Sequence, residues 1–140
     1  MLGLTGARDE AMMALERQFG IAGHVHYFGF VDEADLPSLY RGAHLVAFPS
    51  LYEGFGLPVI EGMACGTPVL TSNVSCLPEV AGGAALLVNP YESTDIAAGL
   101  QRLCHDTVLR ETLRTDGLRR ASQFSWEDTA RGYWDVLERL

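Results

Sequence analysis

Glu53-Gly54-Phe55-Gly56-Leu57-Pro58-Val59-Ile60-Glu61 sets two carboxylates eight positions apart around a glycine-rich turn. The apolar run Leu45-Val46-Ala47-Phe48 before it reads as a strand. Pro58 reads as the opening of a helix, because a proline there gives up an N–H that would lack a partner anyway. Glu53 is then expected in the loop past the strand, and Glu61 on the first turn of the helix. Gly54 and Gly56 let the backbone turn sharply and come close to a ligand. The N–H groups left free at the helix start can cradle an anion, helped by the helix dipole. One carboxylate beside a sugar, phosphates on the helix end and a second carboxylate on a ribose diol would together hold a nucleotide sugar. A plainer reading stands beside this one: glycine-rich strand-to-helix turns are common, and a carboxylate in a first helical turn often serves only the dipole.

Outward from that stretch, short apolar runs alternate with helical patterns. Strands are predicted at Met1–Thr5, His24–Phe28, 45–48, 68–71 and 84–88. An amphipathic helix is predicted near Asp9–Phe19, with Met12, Met13, Leu15, Glu16 and Phe19, and a second from about Glu33 to Arg41 with Asp32 as its cap. The helix opened by Pro58 follows near 57–65 and a short helical turn near Leu77–Ala81. Three helices close the chain near 93–104, 107–121 and 126–139. The last carries a capping box in Ser125-Trp126-Glu127-Asp128 and an apolar stripe of Trp126, Ala130, Tyr133 and Leu137. The alternation predicts an α/β fold: a Rossmann-like parallel sheet flanked by helices on both faces.

Composition narrows the function classes. At 140 residues the chain suits one domain, able to bury about two-thirds of its unfolded surface. A net charge of −8 argues against a nucleic-acid partner and against contact with anionic lipid. No run reaches the ~20 apolar residues that a membrane span needs. The three cysteines, Cys65, Cys76 and Cys104, are odd in number and without metal-ligand spacing, which suits a reducing, cytoplasmic setting. Several tempting motifs are set aside. Asp32-Glu33-Ala34-Asp35 spells a helicase-like tetrapeptide, but no phosphate loop accompanies it. Asn73-Val74-Ser75 is a glycosylation sequon with nothing to direct it to a secretory compartment. His24 and His26 would share a strand face but lack a third ligand, and no Asp-x-Asp pair offers a metal site.

From Phe48 to Val69 the sequence FPSLYEGFGLPVIEGMACGTPV resembles the signature of the group 1 retaining glycosyltransferases, a family of GT-B fold. Gly62 departs from the pattern, where alanine is usual. Val25-His26-Tyr27-Phe28-Gly29-Phe30-Val31, Leu77-Pro78-Glu79-Val80 and Leu86-Leu87-Val88-Asn89-Pro90 resemble further landmarks of the family's carboxy-terminal donor-binding domain, so the likeness covers essentially the whole chain. The resemblance implies an enzyme that moves a hexose from a nucleoside diphosphate to an acceptor hydroxyl with retained configuration. Glu53 would be the catalytic carboxylate and contact the donor sugar. The backbone of Gly54, Phe55, Gly56 and Leu57 would meet the sugar and the diphosphate. Glu61 would take the ribose hydroxyls, and Phe30 and Val31 would lie at the base. No metal and no further cofactor is implied. Thr71–Gly82 is most similar to bacterial mannosyltransferases of surface-polysaccharide assembly, which favours GDP-mannose over UDP- or ADP-glucose.

The same resemblance implies what is missing. The family's Arg and Lys that grip the diphosphate sit after the first strand of this domain. The chain is expected to lack that first strand and helix, beginning at what resembles the second strand, and to lack the amino-terminal acceptor domain. Arg8 follows the first strand present, but its context does not match, and it is given no role. In a sheet of order 3-2-1-4-5-6 the lost strand is the central one. The remedies expected for such a gap are direct re-pairing of the two strand groups or a strand borrowed by homodimerisation. On these grounds the chain is expected to be inactive alone. The alternative class is a non-catalytic relative that only binds nucleotide or serves as an interaction module.

Overall fold

The computed structural model describes residues 9–139 in full and the backbone of 2–5; Met1, Arg8 and Leu140 are among those outside it. Two compact units divide the chain, Met1–Leu36 and Pro37–Leu140.

The first unit holds β1 (Leu2–Thr5), α1 (Glu10–Gln18) and β2 (Val25–Gly29). The two strands run parallel, with Leu2 opposite Val25 and an irregularity between Leu4 and Thr5. Asp9 caps α1 by accepting from the Met12 N–H at 2.7 Å, which satisfies one of the donors that a helix start leaves free. The expected apolar set of α1 is partly inverted. Glu16 is the buried member, while Met12, Leu15 and Phe19 stay exposed. The carboxylate tolerates burial because the Tyr27 hydroxyl donates to its Oε1 at 2.7 Å, which replaces the water it loses. His24 lies in the turn before β2, its N–H donating to the Ile21 carbonyl, so it does not share a strand face with His26.

The second unit takes up the chain at Pro37, within α2 (Leu36–Gly42). This helix starts three residues later than its pattern predicts. Pro37 has no N–H for the Glu33 carbonyl, so residues 33–35 form turns instead. Asp32 accepts there through its backbone carbonyl, from the Asp35 and Leu36 N–H groups, rather than capping with its side chain. Then follow β3 (Val46–Phe48), α3 (Leu57–Ala64), β4 (Val69–Ser72), α4 (Leu77–Ala81), β5 (Leu86–Val88), α5 (Ser93–His105), α6 (Thr107–Ala121) and α7 (Trp126–Leu137).

β3, β4 and β5 form a parallel sheet in that order, with Val46 opposite Val69 and Leu70 opposite Leu86. All four residues of β4 are buried, and alternate side chains enter two cores. Val69 joins Val59, Met63, Leu77 and Val80 under α3 and α4. Leu70 joins Val88, Leu103 and Leu113 under α5 and α6. Helices thus cover both faces, as expected for a parallel sheet. Three glycines bring helices close. A methyl on Gly62 would lie 3.1 Å from Val69 Cγ2 and 3.2 Å from Val46 Cγ2, which gives the departure from alanine a packing reason. Gly117 seats α6 on Met63 in the same way, and Gly99 seats α5 on Val88 and Leu70.

The described strands form two sheets, β1-β2 in the first unit and β3-β4-β5 in the second. Each ladder joins strands linked by one helical crossover, β1 to β2 through α1, β3 to β4 through α3 and β4 to β5 through α4. α7 keeps its capping serine, with Ser125 Oγ accepting from the Asp128 N–H at 3.0 Å. Its apolar stripe is not buried, however, and Trp126, Tyr133 and Leu137 are all exposed.

Candidate functional site

β3 ends at Phe48, and the chain runs through Glu53 and Gly54 into α3. Gly56 is the residue that makes this entry possible. It sits in the left-handed region, with φ of 90° and ψ of 51°, and acts as N-cap without a side chain. A Cβ there would stand 2.6 Å from Leu77 Cδ2, so both its backbone angle and its close contact with α4 demand glycine. Gly54, by contrast, has open space around it. The helix begins at Leu57, one residue before Pro58, and no acidic residue stands in its first turn. Glu61 therefore belongs to the second turn, which weakens the reading that it merely serves the dipole. The N–H groups of Phe55, Gly56 and Leu57 donate to no acceptor among the described residues. Three adjacent donors at a helix start make an anion cradle.

Glu53 is half-buried and held from two sides. Its Oε1 accepts from Ser50 Oγ at 2.8 Å, and the Ser50 carbonyl in turn accepts from buried Ser72 at the end of β4 at 2.6 Å. On its backbone, Ser75 Oγ accepts from the Glu53 N–H at 3.3 Å and donates to the Glu53 carbonyl at 3.0 Å. Ser75 makes both contacts from a left-handed backbone, φ 59°, a conformation that costs a non-glycine residue about 1 kcal/mol or more. The Cys76 thiol lies within reach of the Glu53 carbonyl (3.3 Å) and the Phe55 carbonyl (3.4 Å). The loop between β4 and α4 thus clamps the backbone that carries Glu53.

Glu61 is half-buried too. Its Oε2 accepts from the Tyr40 hydroxyl at 2.8 Å. Burial first, and then the hydrogen bond to Glu61, push the Tyr40 phenol well above its ordinary range, so it remains a donor at neutral pH. Phe55 packs edge-on against Phe124 with ring centroids 5.7 Å apart, and the Arg120 guanidinium lies 4.7 Å from the centre of the Phe124 ring. Arg120 spends its donors on the Val80 and Glu79 carbonyls at the end of α4 and on Gln123. All ten basic residues of the chain are arginines, so no lysine is present to make up an Arg/Lys pair.

The structure gathers Glu53, Phe55, Gly56, Leu57 and Glu61 on one loop and helix, with Gly54 between them. Phe30 and Val31 belong to the first unit, just past β2, where Gly29 has φ of 63° and Phe30 is 91% exposed. Sequence reasoning missed the supporting shell of Tyr40, Ser50, Ser72, Ser75 and Cys76. Apart from Ser50, these residues stand 19 or more positions from the carboxylate they serve, and no local spacing marks them.

Residues 2–120 match the model of the glycosyl transferases group 1 family. The chain is 42% identical over 126 residues to the O-antigen chain mannosyltransferase B of Escherichia coli, covering 90% of this chain and 33% of that protein. Among solved structures, sucrose-phosphate synthase from Thermosynechococcus elongatus superposes with a TM-score of 0.87 at 31% identity, over 99% of this chain and 38% of that one. Anabaena HepE, in complex with UDP and glucose, gives a TM-score of 0.89 at 26% identity over 99% of this chain and 40% of its own. The chain thus spans about a third of the curated relative and about two-fifths of the solved structures. A family match over most of the chain, on a parallel α/β fold with two hydroxyl-held glutamates flanking a glycine-capped helix start, means that this chain belongs to the group 1 glycosyltransferases, of GT-B fold.

Proposed function

We propose that the chain is the donor-binding part of a retaining hexosyltransferase, with a nucleoside diphosphate sugar as substrate and GDP-mannose the first choice of donor. The observation that carries this is the run of three free N–H groups, Phe55 to Leu57, set between two carboxylates that are each held by a hydroxyl. Diphosphate suits the N–H cradle, because the charge that grows on a departing diphosphate is stabilised by donors already in place. Glu53 faces the sugar hydroxyls as the catalytic carboxylate, and Glu61, an acceptor with two oxygens, suits the ribose diol. The reading requires no resident metal. The nucleotide and glucose bound to HepE and the mannosyl chemistry of the Escherichia coli relative support the substrate class. Acceptor recognition falls to a part of the enzyme beyond this chain. Its three free cysteines suit the cytoplasm.

A second reading is favoured by one observation. Arg120, which reaches the glycine-rich turn through Phe124, is committed to backbone carbonyls. With Arg120 so committed, the chain would bind nucleotide but not turn over alone. Calorimetric titration with GDP, UDP and ADP, repeated on Glu61→Ala, tests the site. One nucleotide should bind, and the variant should weaken it about tenfold or more, the value of a hydrogen bond to a charged group. Equal binding by the variant, or none by the folded wild type, would overturn the assignment.

A further inference from the structure

We propose that Tyr40 is a positioning residue of the donor site, its hydroxyl fixing one oxygen of Glu61 so that the carboxylate discriminates ribose from deoxyribose. The inference rests on the reading of Glu61 as the carboxylate that meets the diol. It adds a residue to which the signature stretch gives no clue, 21 positions upstream on another helix.

Tyr40 is anchored at both ends. Its hydroxyl donates to Glu61 Oε2 at 2.8 Å. Its carbonyl accepts from the buried Thr67 hydroxyl at 2.7 Å, in the turn between α3 and β4. The ring therefore braces α3 against α2, and the phenol cannot swing away without losing its seat. Glu61 ends a side chain with three rotatable bonds, and a half-buried glutamate with no partner would sample several rotamers. With Oε2 taken by Tyr40, Oε1 is the oxygen that has no donor among the described residues. One acceptor held in a fixed place rewards a ligand hydroxyl and is left unpaired by an analogue that lacks it. A purely structural brace would behave differently. Its loss would loosen α2 and α3 and weaken the ribo and deoxy forms equally.

The test compares GDP with 2′-deoxy-GDP, and UDP with 2′-deoxy-UDP, by calorimetric titration of the whole chain, on wild type, Tyr40→Phe, Glu61→Ala and the double variant. Tyr40→Phe keeps the ring, and its fold is checked by circular dichroism and thermal unfolding. The wild type should prefer the ribo form of the nucleotide it binds by about tenfold, the worth of a charge-assisted hydrogen bond. Tyr40→Phe should cut that ratio to about threefold or less, and should cause no further loss once Glu61 is alanine, because the two act as one unit. A wild type that discriminates beside a Tyr40→Phe variant with the same ratio overturns the positioning role and leaves Glu61 in place. A wild type that binds both forms equally, or binds neither nucleotide, overturns the reading of Glu61 and the role of Tyr40 with it. Should Tyr40→Phe not fold, Thr67→Val, which frees the Tyr40 carbonyl but keeps the phenol, must lower the ratio in the same direction. An unchanged ratio there overturns the proposal.

Discussion

β4 and α7 carry equally clear amphipathic or apolar patterns, yet one is the most enclosed element of the second unit and the other has no buried residue. In β4, Val69 and Leu70 fill opposite cores, and Thr71 and Ser72 direct their hydroxyls to the Phe48 and Ser50 carbonyls beside the site. In α7 the stripe of Trp126, Tyr133 and Leu137 faces outward. A pattern tells which face seeks burial. It does not tell whether a partner is there, because burial is supplied by the other layer and not by the element itself.

The comparison breaks if substitutions in the two regions cost the same. The largest effect is expected at Leu70→Ala. Leu70 is fully buried between β5, α5 and α6, so truncation should cost about 2–5 kcal/mol in urea unfolding, transfer and cavity terms together. A loss below about 1 kcal/mol would mean that the core collapses around the gap and that β4 is not the keystone described.

A second, smaller effect reverses an ordinary rule. Alanine is preferred to glycine inside a helix by up to about 1 kcal/mol. At Gly99, in α5, the added methyl would stand 2.7 Å from Val88 Cγ1 and 2.8 Å from Leu70 Cδ1. Overpacking against a filled core typically costs about 1–3 kcal/mol, so Gly99→Ala should destabilise. A neutral or stabilised variant in thermal unfolding would show that α5 rides higher on the sheet than its contacts imply.

How much of this was legible beforehand follows the same division. Element types follow from periodicity and punctuation. Pro58 and Gly56 mark the α3 start, Ser125 marks α7, and the runs ending at Phe48 and Val88 mark strands. The fold class and family resemblance rest on those signals, and both stand. What failed depended on long-range partners. The burial of Glu16 hangs on Tyr27, and the exposure of the α7 stripe on the lack of a covering layer among the described residues; the late start of α2 is the exception, a local effect of Pro37. In the site, the residues of the signature were readable because they are contiguous. The hydroxyls of Ser72, Ser75 and Tyr40 were not, because the fold alone brings them to the Ser50 carbonyl, Glu53 and Glu61.

Gly132 sharpens the contrast at the smallest scale. Like Gly99 it lies inside a helix, and as a residue type it carries the same conformational cost. Unlike Gly99 it has nothing within 4 Å of the site where a Cβ would stand, because α7 presents no buried face. The methyl therefore meets no neighbour, and only the gain in helix propensity remains, about 0.5–1 kcal/mol. Gly132→Ala should raise the midpoint of thermal unfolding by a few degrees, opposite in sign to Gly99→Ala. The pair thus compares one chemical change in two settings. If both variants destabilised, the exposed face of α7 would have to be covered in solution by something that a methyl at 132 obstructs.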